Sequence, residues 1–128
     1  MKVTFTFNRL PKTTNAKGKS QHWAARKREA DYWKKLVWYD SRFLFTGSKT
    51  GLPAFPMSRA KLTLIRYSSV SPDFDGLVSS FKHVIDALIA AGILENDKFE
   101  NIGAPTYEWR KAPPKKGHIT VTVETLGG

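Results

Sequence analysis

Residues 71–102 read SPDFDGLVSSFKHVIDALIAAGILENDKFENI, and the layout of the chain follows from them. Leu77, Phe81, Val84, Ile85 and Leu88 recur at helical spacing, which predicts one amphipathic helix with a single apolar side. Gly92 follows the last turn, where a left-handed C-terminal cap belongs. On both flanks the period changes. Ala60 to Tyr67 (AKLTLIRY) reads as a strand with Leu62 and Leu64 on one face, and Thr106 to Lys111 as a strand through Tyr107 and Trp109. Ile93 to Gly103 is an acidic connection between the helix and the second of these strands.

Further out, Lys2 to Asn8 alternates polar and apolar residues, and Ile119, Val121 and Val123 alternate with Thr120, Thr122 and Glu124. Both have the period of a strand with one buried face. Gln21 to about Phe45 contains no Pro or Gly. It places Trp33, Leu36, Val37, Phe43 and Leu44 at helical spacing, so it predicts a long basic helix with Ser20 as N-cap. Arg9 to Ser20, Thr46 to Pro56, Ser68 to Pro72 and the basic turn Ala112 to Gly117 read as loops from their Gly, Pro and polar content. Four half-polar strands and two main helices imply an α+β fold: a two-layer sandwich with a mixed or antiparallel sheet covered on one side. The 128 residues suit a single domain over 1–128, which buries roughly two thirds of its unfolded surface without needing a disulfide or a structural metal.

The charge is uneven. Lys and Arg number 21 against 11 Asp and Glu, a net +10 that argues for a polyanionic partner, nucleic acid above all. Residues 1–45 are strongly basic, whereas residues 71–102 carry six acids and two lysines. Carboxylates repel phosphates unless a cation lies between them, so an acidic block in a basic protein points to a metal-dependent enzyme acting on nucleic acid, or else to a solvated helix face.

Several chemistries are excluded or disfavoured. The absence of cysteine removes thiol nucleophiles, disulfides and Cys-based zinc sites. His22, His83 and His118 lack zinc-binding spacing, and no G-x-S-x-G elbow is present. Gly18-Lys19-Ser20 resembles the tail of a phosphate-binding P-loop, but Thr13 stands where the first glycine is required, so no nucleotide cofactor is expected. No early stretch is apolar enough for a signal peptide or membrane span, which predicts a cytoplasmic protein with no membrane partner.

The acids that remain are Asp73 and Asp75 after a strand, Asp86 with Lys82 on the helix, and Asp97 beyond it. Residues i and i+2 of an extended segment point the same way, so Asp73 and Asp75 would present two carboxylates to one cation. The alternative is that Asp75 is a helix N-cap and Asp73 a solvated acid. Lys82 lies two helical turns after Asp75, with Asp86 a turn further on, an arrangement that serves a phosphate or forms a plain surface ion pair.

Taken together, Asp73, Asp75, Lys82, Asp86, Ala87, Leu88, Gly92 and Asp97 resemble the RusA-like Holliday junction resolvases, whose pattern is D-x-D-[NG]-L, a helical Lys, D-x-L-x-x-x-G and an acid five residues later. Gly76 replaces the usual Asn, and Asn96 stands where many members have a second aspartate. The resemblance implies a Mg²⁺-dependent endodeoxyribonuclease, with Mn²⁺ as substitute, acting as a homodimer that nicks a four-way DNA junction symmetrically in recombination and repair. It implies Asp73, Asp75 and Asp97 as metal ligands, Lys82 as the catalytic lysine and Asp86 as a supporting acid. Oxygen-only ligands suit Mg²⁺ or Mn²⁺ better than zinc. Lys12, Lys17, Lys19, Arg26, Lys27, Lys34, Lys115 and Lys116, with Arg28 and Lys35, would neutralise DNA phosphates, and Phe74 or Trp109 would sit against unstacked bases. The implied setting is cytoplasmic and nucleoid-associated, encoded by a bacterial chromosome or a phage. Two rivals stay open: a catalytically silent nucleic-acid-binding module, and a nuclease for other branched or duplex DNA.

Overall fold

The computed structural model describes residues 2–12, 23–44 and 55–126. Lys17, Lys19, the Gly18-Lys19-Ser20 segment, the expected Ser20 cap and His22 lie outside the described residues. Among the described residues four strands form one sheet: β1 (Lys2–Phe7), β2 (Ala60–Ser68), β3 (Thr106–Lys111) and β4 (His118–Thr125), in the order β1-β4-β2-β3. β4 runs antiparallel to both β1 and β2, while β3 is parallel to β2, so the sheet is mixed. The α+β expectation holds.

Alternation along the strands sorts their side chains into two faces. Phe5, Phe7, Leu62, Leu64, Ile119, Val121 and Val123 are buried on one side. There they meet Trp33 and Val37 of α1 (Trp23–Ser41) and Val84 and Leu88 of α3 (Lys82–Ala90). The Trp33 ring meets Phe7 edge-on at 5.6 Å. Thr4, Thr6, Thr120 and Thr122 occupy the other face, where the hydroxyls of Thr4 and Thr122 pair across strands at 3.1 Å.

The long first helix ends earlier than its periodicity suggests. After Ser41 the backbone tightens into a 3-10 turn over Arg42–Leu44, and the changed pitch turns Phe43 into solvent while Leu44 still packs on the core. The second predicted helix is two helices, α2 (Phe74–Ser80) and α3, meeting at Phe81 with φ −90° and ψ 0°. No Pro or Gly causes this break. The hydroxyls of Ser79 and Ser80 donate to the carbonyls of Gly76 and Leu77, and the Phe81 amide then closes on Val78 at 3.2 Å. Serine back-bonding of this kind bends helices.

At the other end of α3, Gly92 takes φ 84°. Its amide donates to Ile89 and that of Ile93 to Leu88, each at 3.0 Å, with Leu88 and Ile93 both buried beside the bonds. This is the Schellman stop that Gly92 predicted. A short α4 (Phe99–Ile102) lies within the acidic connection. Lys115 holds φ 67° at the third position of the turn that closes with the Lys116 amide on Pro113, a place that requires positive φ. No helix among the described residues is long and apolar enough to cross a membrane.

Glu29 is the charged residue on the inward stripe of α1, and it is buried. Its carboxylate accepts from the Trp33 indole at 3.0 Å, the Lys12 amide at 3.1 Å and the Arg9 guanidinium at 3.4 Å, tying the exit of β1 to the helix. Burial pushes the carboxyl's pKa up, but these donors outweigh it and hold it below the ordinary glutamate value. A carboxyl depressed by folding adds stability that is complete above its unfolded pKa and lost as pH falls through its folded pKa. Glu29→Ala should therefore cost about 2–3 kcal/mol at pH 7, because it strands a buried indole donor, and the variant should show a shallower loss of stability on acidification than the wild type. Denaturant melts at pH 7 and pH 3.5 check both.

Candidate functional site

The return from β2 to β3 carries every acid of the 71–102 block. Asp73 is extended, with φ −75° and ψ 169°, and its Oδ1 accepts from the Gly76 amide at 2.8 Å. It is the N-cap of α2, whereas Asp75 sits within the first turn. The assignment of the cap to Asp75 and the picture of an extended Asp73–Asp75 pair are both corrected. A Cβ at Gly76 would lie 2.6 Å from the capping oxygen, so a larger residue here would make the Asp73 side chain shift within its cap.

Lys82 opens α3 and reaches Asp86 at 3.6 Å, one turn on. The break at Phe81 means that Lys82 does not share a continuous helix with Asp75. Lys82, Asp86 and Asp97 instead line one open cleft of about 440 Å³, together with Ser79, Ile85, Phe99, Pro105 and Tyr107. Asp73 and Asp75 are not among the lining residues. Among the described residues, no group of three or more His, Asp or Glu side chains is spaced to hold a metal ion.

Electrostatics distinguish the members of the block. Asp86 is the one acid of residues 71–102 with an ion-pair partner among the described residues. Asp75 and Asp97 are exposed, and no described donor reaches either carboxylate, so their oxygens are free for an external cation. By type these oxygens suit Mg²⁺ or Mn²⁺, but Asp73, Asp75 and Asp97 do not come together as one ligand set among the described residues. The Lys82–Asp86 pair is weak by position. Lys82 is 70% exposed, a lysine at a helix start faces the positive end of the dipole, and Lys four residues before an acid is the less favourable order.

Tyr107 was not foreseen as a site residue. It pairs in register with Leu64, which puts it on the helix-covered face, and its ring lies 6.1 Å from that of Phe81. Burial pushes its phenol pKa up, so it stays protonated at neutral pH and can donate to an anion in the cleft. The β-register relative to Leu64 is the signal that could have found it. Of the two aromatics expected to meet bases, Phe74 is 68% exposed beside the Asp73 cap. Trp109 is partly buried, and its indole donates to the buried Ser68 hydroxyl at 2.9 Å, so it is a packing residue.

The basic expectations divide in the same way. Lys12, Arg26, Lys27, Arg28, Lys34, Lys35, Lys115 and Lys116 are all exposed. Lys27 spends part of its charge on Asp31 at 3.1 Å. His118 stacks on Tyr67 at 4.2 Å beside the Lys116 carbonyl, and neither it nor His83 joins the cleft.

The dual position of Asp73 is separable by substitution. Asp73→Ala should cost about 1 kcal/mol through loss of the α2 cap, while Asp73→Asn, which still caps, should stay within a few tenths of wild type. Thermal melts of the two variants check this. The chain matches no protein-family model and no curated protein.

Proposed function

We propose that this protein is a divalent-metal-dependent endodeoxyribonuclease of the RusA-like type, cutting branched DNA as a homodimer in the cytoplasm. The observation that carries the reading is the cleft in which Lys82, Asp86, Asp97 and Tyr107 converge, set in the one acidic block of a +10 chain. Lys82 is loosely held by Asp86 and is free to swing onto a non-bridging phosphate oxygen. The Tyr107 hydroxyl would donate a hydrogen bond to the same phosphate, and Asp86 keeps the lysine nearby while no phosphate is bound. By the resemblance, Asp73, Asp75 and Asp97 would hold a Mg²⁺ ion that supplies an activated water and offsets charge on the leaving oxygen, which requires them to draw closer than they stand among the described residues.

The exposed cations account for affinity. Arg26, Arg28, Lys34 and Lys35 on α1 and Lys115 and Lys116 in the β3–β4 turn are placed to neutralise backbone phosphates, a sequence-blind interaction. Lys115 occupies a positive-φ position that glycine fills at lower cost, which keeps a charge at the tip of that turn.

A second reading has its own support. Asp73 is accounted for as a cap, and the three expected ligands are not assembled among the described residues, as a catalytically silent binding module requires. The two readings differ in one experiment. A labelled four-way junction and a linear duplex of matching sequence are incubated with wild type and Asp75→Asn, in Mg²⁺ and in EDTA. The nuclease reading expects paired nicks on the junction, abolished by EDTA and reduced about a hundredfold or more by Asp75→Asn. The melting temperature should fall only slightly, because Asp75 has no hydrogen-bond or ion-pair partner among the described residues and loses only its charge in the first turn of α2, worth about 0.3–1 kcal/mol. Equal cutting of the duplex keeps the nuclease and removes the junction preference, and tight binding without cutting selects the silent module. In salt titrations, each of Lys34→Gln and Lys116→Gln should lower the steepness of log affinity against log salt by about one.

A further inference from the structure

α1 carries more aromatic surface into water than its packing requires. Its inward stripe is Glu29, Trp33, Val37 and Ser41, spaced by four. Lys34, Lys35, Trp38, Tyr39 and Arg42 fall together on a different side, since residues one and two helical turns apart stack above one another. Trp38 is 45% exposed and Tyr39 74%. Between them is a concavity of about 210 Å³ lined by Lys34, Lys35, Trp38, Tyr39 and Ala90 of α3.

The Trp38 ring is already held in place. The Arg42 guanidinium lies 3.5 Å from its centroid, and that guanidinium is itself fixed by bonds to the Trp38 carbonyl at 3.1 Å and the Ala91 carbonyl at 2.7 Å. One face of the indole is thus covered by a pinned cation, a contact that rigidifies the ring at little cost in mobility. Lys34 and Lys35 are exposed, and among the described residues neither forms an ion pair. No carboxylate lines the concavity.

We propose that this face of α1 is a stacking platform for unpaired bases of a nucleic-acid strand, with Trp38 and Tyr39 against the bases and Lys34 and Lys35 on the flanking phosphates. A flat ring fixed on one side, a second exposed ring beside it and two unpaired ammonium groups together match the alternation of base and phosphate along a single strand. Every base has a π-face, so the contact would tolerate any sequence. A second copy of this chain fits poorly, because it would bring the same cations against these. The site shares no lining residue with the cleft, whose nearest member on α3, Asp86, stands one turn before Ala90, about 6 Å along the axis. The inference rests on the nucleic-acid reading above and adds a preference for unpaired strands that the cleft does not supply.

The test measures anisotropy of a labelled oligothymidylate and of a blunt duplex in EDTA, so that cutting plays no part. Tyr39→Ala and the double variant Trp38→Ala/Tyr39→Ala are compared with wild type, and Trp38→Phe serves as a variant that keeps a ring. The expected result is single-strand affinity lowered about tenfold or more in the double variant, partly in Tyr39→Ala and little in Trp38→Phe, with duplex affinity unchanged. Circular dichroism checks that each variant is folded, and if the double variant is not, Tyr39→Ala alone decides, since Tyr39 is largely exposed. Single-strand binding equal to wild type in the aromatic variants overturns the proposal. So does loss of self-association in those variants, seen by sedimentation, with nucleic-acid affinity intact, which would make the face a protein interface. A wild-type protein that binds duplex but no single strand overturns this inference alone, and one that binds neither overturns the nucleic-acid reading with it.

Discussion

Parallel strands cannot be joined by a tight turn, and the pairing of β2 with β3 imposes that constraint on the rest of the molecule. Between Ser68 and Thr106 the chain has to travel the length of the sheet and come back, so it builds α2, α3 and α4 on the way. Asp73, Asp75, Lys82, Asp86 and Asp97 all ride on this single crossover. β3 then supplies Tyr107 from the far side of the same loop of chain. The cleft is therefore a product of topology: it opens where the crossover descends onto the strand that it was built to reach.

The crossover is fixed at three points, each by a different force. At its start Asp73 satisfies an amide of α2. In the middle α3 is buried through Val84, Ala87 and Leu88 and packs beside α1. At its end the Gly92 stop turns the chain sharply, and Ile93 and Glu95 bond to Met57 just ahead of β2. The segment holding Asp97 thus leaves from a defined place while its own carboxylate stays free. Rigid surroundings and unpaired carboxylate oxygens are what a cation-binding surface needs.

How far the sequence was legible depended on how local the cause was. Alternation identified all four strands, because a sheet covered on one side writes its period directly into Phe5 and Phe7, or Ile119, Val121 and Val123. Gly92 was legible for the same reason, since only a left-handed residue ends α3 in that way. The break at Phe81 was not, because it arises from the hydroxyls of Ser79 and Ser80 turning back onto carbonyls, and the apolar period runs through it undisturbed. Phe43 misled in the opposite direction: its spacing is helical, but the backbone there is no longer an α-helix. Glu29 was hidden because a buried carboxylate is defined by donors from elsewhere in the fold. For the two acids the sequence offered Asp75 as the cap, and the backbone angles give that place to Asp73.

Among the described residues, the order β1-β4-β2-β3 leaves β1 and β3 as the rims of the sheet, each with one side that no described strand pairs. Such rims invite other strands to add on, and proteins guard against that with charge. Lys2 stands at one rim and Arg110 and Lys111 at the other, all exposed. The threonine face between them offers no broad apolar surface to a neighbouring sheet. The same surplus of lysine and arginine that makes a polyanion welcome therefore also discourages this sheet from growing, strand upon strand, into an insoluble aggregate.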